Sequence, residues 1–254
     1  MDTSPKDDKL EINTPASRDS AYWAHPVKGL KISGDGVPGL NVEGRQVIGP
    51  LQGFGQMWQK TYRVRLSGSP KTPKQVITIW KENFASFWPK GNTFYSPLTG
   101  ITPGEVGVIS LQVGGGMKLS TGVMVIYADD ESFTFMTPEG HMFAAWITFS
   151  AYEEDSCPVA QVQALLRADD PIYELGLRLG IIHRAEDKFW CDTLTALAAY
   201  CGANGQVEQQ VSCIDPKMQW SRAKNIWYNA GIRTTLYSLS WPLRQIRERF
   251  TRSS

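Results

Sequence analysis

His141 is the side chain best suited to acid–base chemistry in this sequence. It follows the turn Pro138-Glu139-Gly140 and leads into an apolar stretch, with Glu139 two residues away. Imidazole titrates near neutral pH, and a carboxylate partner would orient it as a general acid or base. The same spacing is common where both side chains simply satisfy turn amides, and this second interpretation is favoured. His141 is therefore a candidate catalytic residue, and whether the chain is an enzyme stays open.

Other arrangements that carry chemistry are not recognisable in the sequence. The four cysteines form no CxxC pair and no Cys/His cluster with zinc spacing, so we expect reduced thiols and no metal site. The Gly114-Gly115-Gly116 run is not followed by the lysine and helix of a phosphate-binding loop, which makes it a hairpin turn. We therefore expect no cofactor.

A mixture of apolar and polar side chains predicts a ligand site. Such sites need an apolar lining and a few convergent polar groups. The alternative is a filled core without a pocket, and Arg167 could bind a ligand carboxylate or merely pair with Asp169. The candidate ligand-binding residues are Trp88, Phe94, Tyr95, Tyr127, Phe135, His141, Trp146, Phe149, Gln163 and Arg167.

The elements that would position these residues are strands followed by a long helix. Residues 57–66 alternate as a first strand, although Lys60 interrupts the apolar set, and a capping box at Thr72 begins a helix. Five strands over residues 105–167 are joined by connections too short for parallel crossovers, which predicts an antiparallel meander. Several are apolar on both parities. A helix is predicted over residues 170–201, with a kink or break near Gly180 and an end at Gly202.

The 254 residues divide into four regions. We expect a disordered tail at 1–24, an irregular arm at 25–56, a ligand-binding domain at 57–202 and a basic helical extension at 203–254. From Lys217 onward the chain has eight basic residues and one acidic residue, Glu248. This end could lie on an anionic membrane surface or pack on the domain, and nucleic acid is not expected as a partner. Without a signal peptide or a membrane span, we expect a cytoplasmic protein, peripheral to the membrane if the tail binds lipid. The sequence predicts no oligomeric state.

The order strand, helix, meander, long helix resembles the START/Bet v 1-like (SRPBCC, helix-grip) superfamily. Within it, the chain is similar to a bacterial family known only as a domain of unknown function. The resemblance rests on Thr137-Pro138-Glu139-Gly140-His141, on Trp146 and on Ala168-Asp169-Asp170-Pro171, and it covers about residues 58–202. It implies an α+β helix-grip fold, in which a curved antiparallel sheet is closed by a long C-terminal helix.

The superfamily includes lipid carriers, hormone receptors and polyketide cyclases, so the fold alone does not determine an activity. The leading hypothesis is non-catalytic binding or carrying of a hydrophobic small molecule, lipid or polyketide-like, between the sheet and the C-terminal helix. The alternatives are a cyclase or dehydratase that uses His141 as acid or base, and a membrane-associated adaptor that uses residues 217–254.

Overall fold

One antiparallel sheet dominates the computed structural model, which describes residues 20–33, 39–112 and 118–240. Its strands run in the order β3-β4-β5-β6-β7-β8-β2-β9, with β1 beside β6, and all these pairs are antiparallel. The predicted meander is confirmed as β4 to β8. The strands are β1 (Val47–Ile48), β2 (Met57–Arg65), β3 (Thr93–Tyr95), β4 (Val106–Gln112), β5 (Lys118–Ala128), β6 (Ser132–Pro138), β7 (Phe143–Glu154), β8 (Cys157–Ala168) and β9 (Val207–Asp215).

The helices are α1 (Pro73–Glu82), α2 (Pro171–Arg178), α3 (Ile181–Tyr200) and α4 (Ala230–Leu239), with 3₁₀ segments that include Phe84–Phe87 and Trp220–Tyr228. The predicted capping box is present at the start of α1, where Thr72 and Gln75 exchange side chain–backbone hydrogen bonds. The long helix predicted after Asp170 is interrupted, because Gly180 has a φ of 70°, in the left-handed region that favours glycine. The kink or break predicted near Gly180 is therefore confirmed, with α2 before it and α3 after it.

The inner face of the sheet packs against α1 and α3. Alternate residues of β2, β6, β7 and β8 point to this side, and they form one apolar cluster with Trp80 of α1 and with Trp190, Leu194 and Leu197 of α3. The curved sheet with a long helix across it is the helix-grip fold that the sequence predicted.

The outer face of the sheet is covered by the arm and the extension. Leu30 and Val42 of the arm pack against Val106, Val108 and Met124 in a second, smaller apolar cluster. Helix α4 lies near β5, where Thr234 Oγ1 accepts a hydrogen bond from the Ser120 amide. Because both faces are covered, strands of this sheet are apolar on both parities, as parallel sheets with two covered faces usually are.

Sequence reasoning placed a polar linker after Gly205, ahead of the helical part of the extension, and the structure has strand β9 in its place. This strand pairs with β2 from Met57↔Asp215 to Val64↔Val207. Its side chains are almost all exposed, so the sequence carries no apolar alternation that would reveal a strand. The predicted disordered tail, apart from residues 20–24, and the basic residues after Ser240 lie outside the described residues. No helix in the described part of the chain is long and apolar enough to cross a membrane.

Candidate functional site

An aromatic cluster fills the space between the sheet and α3. Phe133 and Phe149 stack with ring centroids 4.6 Å apart, and Phe84 lies 5.0 to 5.7 Å from four neighbouring phenylalanine rings. Such offset and edge-to-face contacts each stabilise the core beyond simple burial. The cluster consists of Trp80, Phe84, Trp88, Phe94, Phe133, Phe135, Phe149, Phe189 and Trp190.

Two indole nitrogens within this aromatic cluster have no hydrogen-bond acceptor. Nε1 of Trp80 and Nε1 of Trp88 are both buried, and neither donates to any described residue. A buried donor without a partner costs about 1–3 kcal/mol, and most buried polar atoms in proteins have one. Sequence reasoning named Trp88 only as apolar lining. The unpaired donors could not be found from residue types alone.

A buried ionic cluster lies beside the aromatic rings, between β2 and α3. Lys60 is 0% exposed, and its Nζ lies 2.7 Å from Asp187 Oδ1 and 2.8 Å from Glu186 Oε2. The contact with Glu186 is an ion contact without hydrogen-bond geometry. Tyr62 donates its hydroxyl proton to Asp187 Oδ1 at 2.6 Å. Sequence reasoning missed this cluster, although Lys60 in an apolar parity was its visible signal.

Burial and neighbouring charges shape the titration of this ionic cluster. Burial raises the pKa of Glu186 to about 6, even though the positive charge of Lys60 acts to lower it. Burial also acts to raise the pKa of Asp187, but the hydrogen bonds from Lys60 and Tyr62 outweigh it and hold that pKa below its usual value. Burial, together with Lys60, lowers the pKa of His183. The cluster therefore ties α3 to β2 through opposite charges that face each other.

His141 is buried in its turn and bonded to the backbone. Its Nδ1 accepts a hydrogen bond from the amide of Phe143 at 3.0 Å. Burial lowers the pKa of the imidazole to about 4, so the ring is neutral at pH 7. Glu139 lies on the wall of a surface cavity next to Arg45. The imidazole therefore satisfies a turn amide, which is the structural interpretation stated above.

The predicted ligand-binding residues separate by face. Trp88, Phe94, Phe135 and Phe149 meet in the aromatic cluster, whereas Trp146 is 45% exposed beside Gly49 and Tyr95 is 39% exposed on the edge strand β3. Successive side chains of β7 and β8 point to opposite faces of the sheet, so the neighbours of an inward-facing residue point outward. Outside the aromatic cluster lie Tyr95, Tyr127, His141, Trp146, Gln163 and Arg167.

Tyr127 faces outward because of a bulge. The pairing of β5 with β6 shifts register between Val125 and Tyr127, which moves Tyr127 to the face opposite Val125. Its ring lies 4.7 Å from that of Trp23 in the arm. A one-residue shift of this kind reverses every later side chain of a strand, and apolar alternation does not show it.

Arg167 contacts the extension, and its ion-pair partner there is Asp215, not Asp169. Its guanidinium donates to the carbonyl oxygens of Gly55 at 2.5 Å and Lys217 at 2.8 Å, and it forms an ion pair with Asp215. Since Arg167 is 1% exposed, these contacts supply the partners that a buried guanidinium requires.

The neighbouring aspartates hold the extension in a similar way. Asp169 accepts hydrogen bonds from the Gly140 amide and from Asn225 Nδ2, both at 2.8 Å. Asp170 caps α2 and also accepts from Asn229 Nδ2 at 2.6 Å. The run from Arg167 to Asp170 therefore fastens the extension to the sheet.

Two prominent cavities lie among the described residues, and both are at the arm. One of 470 Å³ is shared by the arm and the extension, and one of 670 Å³ lies between the arm and the first strands of the meander. Neither lies between the sheet and α3, where the aromatic cluster fills the space. Among the described residues, no group of three or more His, Cys, Asp or Glu side chains could hold a metal ion.

No family model matches this chain, and no curated protein does. Among solved structures, it is similar to protein Ms6760 from Mycobacterium smegmatis, with a TM-score of 0.41 and 14% identity over 62% of this chain and 96% of that one. It is also similar to Ara h 8.0201, with a TM-score of 0.40 and 15% identity over 56% of this chain and 97% of that one.

A third similar structure is the di-domain ARO/CYC StfQ from the steffimycin biosynthetic pathway. Its TM-score is 0.45 at 8% identity, over 58% of this chain and 51% of that one. The narrower resemblance to one bacterial family stays a prediction. The strand order, together with α3 across the inner face, shows the helix-grip fold.

Proposed function

We propose that the chain binds a hydrophobic small molecule, lipid or polyketide-like, between the sheet and α3, and that it does so without catalysis. The observation that carries the proposal is the pair of buried indole donors, Trp80 Nε1 and Trp88 Nε1, in an otherwise apolar cluster. An apolar ligand with a hydroxyl, carbonyl or carboxyl oxygen supplies the acceptor that both donors lack. Apolar walls with a few oriented polar groups are the usual composition of such sites.

The ligand enters beside Trp88. This side chain is only partly buried, and its ring lies 4.9 Å from that of Phe189 on α3, at the border of the aromatic cluster. Binding therefore involves a rearrangement of the rings that now fill the interior, while Lys60 keeps Glu186 and Asp187 of α3 fastened to β2.

Acid–base catalysis is less well supported than binding. His141 is neutral at pH 7, and its Nδ1 is engaged by the Phe143 amide. A general acid or base needs a pKa near the working pH and a free position for the substrate proton. The interior instead offers two indole donors without acceptors, Trp80 Nε1 and Trp88 Nε1. Such donors favour binding of a ligand without catalysis.

Extraction of the purified protein with organic solvent, and native mass spectrometry, test this proposal. We expect a co-purifying hydrophobe, and saturable quenching of tryptophan fluorescence by oleic acid. Trp88→Phe keeps the aromatic ring and removes the donor, so the affinity for oleic acid should fall roughly 2- to 10-fold, as for one lost hydrogen bond. Trp146→Phe on the outer face is the matched control and should bind as the wild type does. Absence of both an extracted hydrophobe and saturable quenching would contradict the proposal.

A second candidate function is attachment to an anionic membrane surface through the extension. Trp220 is 70% exposed, Trp227 is 80% exposed, and Leu239 in α4 is 71% exposed. Arg222 and Lys224 lie in the same 3₁₀ segment as the two tryptophans. Exposed tryptophan beside basic residues is typical of helices that lie in the membrane interface.

Flotation with phosphatidylglycerol vesicles tests the membrane function. The wild-type chain should float, and a chain without residues 217–254 should not. Trp220→Ser with Trp227→Ser should lower the floated fraction several-fold, because the interfacial aromatic anchors are lost. The control is Leu98→Ser, which removes an 83% exposed apolar side chain from the loop after β3. Equal flotation of the tryptophan variant and the control would remove the extension from consideration.

A further inference from the structure

The cavity of 470 Å³ lies where the N-terminal arm meets the C-terminal extension. The arm contributes the basic side chains of Lys28 and Arg45, and the extension contributes Arg233 and Tyr228. Neither the aromatic cluster nor the tryptophans of the proposed membrane surface take part in it. The cavity is therefore a separate feature, built from the two regions to which the ligand-binding proposal assigns no role.

Neighbouring groups hold both guanidinium groups of this cavity in place. Arg45 Cζ lies 5.0 Å from the ring centroid of Tyr228, a cation–π distance. Arg233 Nε donates to Asn41 Oδ1 at 3.1 Å. Asn41 is 4% exposed, and its Nδ2 donates to the Ser120 carbonyl at 3.0 Å, so its oxygen stays directed at Arg233. The two positive groups are thus positioned before any ligand arrives.

The wall of the cavity carries more basic than acidic side chains. Among the described residues, Arg45, Arg233 and Lys28 make no ion pair within 4.0 Å. Two carboxylates, Glu43 and Glu139, also lie on the wall. Glu43 Oε2 accepts a hydrogen bond from the Ile32 amide. Three basic side chains against two acidic ones leave an excess of one positive charge.

The lowered pKa of Arg45 agrees with an excess of positive charge on the wall of the cavity. Burial, and next the positive charge of Arg233, lower its pKa, while Glu139 acts in the opposite direction. Burial and the charge of Arg233 together outweigh the effect of Glu139 on this side chain. Guanidinium groups bind phosphate oxygens through two parallel hydrogen bonds, which a lysine cannot do.

We propose that the cavity between the arm and the extension binds a phosphate group, held by the guanidinium groups of Arg45 and Arg233 with Lys28 at the rim. The phosphate belongs either to a free, soluble molecule or to a lipid headgroup. This site is independent of the hydrophobic site beneath α3, and either can exist without the other.

Calorimetric titration with inorganic phosphate at one fixed salt concentration is the first arm of the test. Flotation with vesicles that contain phosphatidic acid is the second. The variants are Arg45→Gln with Arg233→Gln, and Arg233→Lys, which keeps the charge and loses the planar fork. Arg184→Gln is the control, because Arg184 is an exposed arginine on α3, outside both the cavity and the proposed membrane surface.

In whichever of the two experiments the wild type binds, the variant with both Arg45→Gln and Arg233→Gln should have an affinity at least 10-fold lower than the wild type. The affinity of Arg233→Lys should fall by less. Arg184→Gln should leave the affinity unchanged in both arms, and the thermal melting curves should confirm that all variants fold. Binding of phosphate alone assigns the site to a soluble molecule. Binding of phosphatidic acid vesicles alone, weakened by the double variant, assigns it to a headgroup. Equal binding by the wild type and the double variant, or no binding in either arm, would overturn the proposal.

Discussion

Buried charged side chains lie on both faces of the sheet, and each is held by partners from distant parts of the chain. On the inner face Lys60 contacts Glu186 and Asp187, more than a hundred residues later. On the outer face Arg167 joins Gly55 to Lys217. Removing one member of such a group leaves the others buried without a counter-charge, which is costly. Single substitutions at these positions therefore test the packing directly.

Lys60→Met leaves Glu186 and Asp187 next to an apolar side chain. We expect the free energy of unfolding, measured by urea denaturation, to fall by about 3–5 kcal/mol, as for other broken buried ion pairs. Lys188→Met is the control on α3, because Lys188 pairs with Asp192 on the surface with 75% side-chain exposure. Its cost should stay below about 1 kcal/mol. Similar losses for the two variants would show that the ionic cluster does not fasten α3.

The buried imidazole of His141 makes stability depend on pH. Burial lowers its folded-state pKa to about 4 from the usual 6.5. Between these values the unfolded chain binds more protons than the folded one, so acid favours unfolding. The contribution is complete above pH 6.5 and is lost as the pH falls towards 4. Its full extent is on the order of 3 kcal/mol.

His141→Asn removes this dependence and keeps an oxygen that can accept the Phe143 amide. Its free energy of unfolding should fall less than that of the wild type between about pH 7 and about pH 4.5. Asp169, whose pKa burial raises to about 7, acts with the opposite sign and is present in both proteins, so it cancels in the comparison. Parallel pH profiles would mean that His141 is not buried as described.

Among the secondary-structure elements, the break between α2 and α3 depends on one glycine. Gly180 has a φ of 70°, a conformation that costs a side chain with Cβ about 1–2 kcal/mol. Gly180→Ala should lower the free energy of unfolding by that amount in urea denaturation. Gly180→Asn is the matched variant and should cost less, because asparagine tolerates left-handed conformations. Equal losses would point to a steric cause instead of a backbone one.

Element boundaries were predictable wherever apolar periodicity and capping residues coincide. Three such signals mark elements that the structure contains. They are the alternation of Tyr62 and Val64 in β2, the capping box at Thr72 before α1 and the cap at Asp170 before α2. Strand β9 was missed because it is an exposed edge strand without an apolar face. A polar strand and a polar loop have the same composition, and only the pairing with β2 distinguishes them.

The candidate site was predictable only in part. Phe135 and Phe149 were both named as apolar lining of one site, and their rings do meet. Tyr127 was assigned to the same interior, but the bulge before it reverses its direction. The contacts of Arg167 depend on the extension folding back over the outer face, which periodicity does not indicate. The sequence indicates which residues of a strand share a face of the sheet. It does not indicate which distant segment of the chain packs against that face.

For the whole molecule, the domain limit predicted at residue 202 leaves out strand β9, and we propose that the folded unit includes it. Strand β9 pairs with β2 along nearly its whole length, and Asp215 is the ion-pair partner of Arg167. A chain that ends at Gly202 would expose β2 as an unprotected edge and bury Arg167 without its carboxylate. Unpaired edges of this kind are templates for aggregation.

We therefore expect a chain of residues 1–202 to aggregate and a chain of residues 1–240 to stay monodisperse. Size-exclusion chromatography with light scattering distinguishes the two. The longer chain is the control, because it keeps β9 and α4. A soluble 1–202 chain with the thermal midpoint of the full-length protein would instead support the boundary predicted at 202.

Strand β2 is synthesised long before the strands that flank it. Its partners in β8 run from Leu166, opposite Trp58, to Val159, opposite Arg65, and its partners in β9 come later still. Ribosomes add roughly 5–20 residues per second, so the nascent strand waits on the order of ten seconds for a neighbour. During translation, Tyr62 and Val64 have no sheet to join, which makes this strand a segment for chaperones to shield.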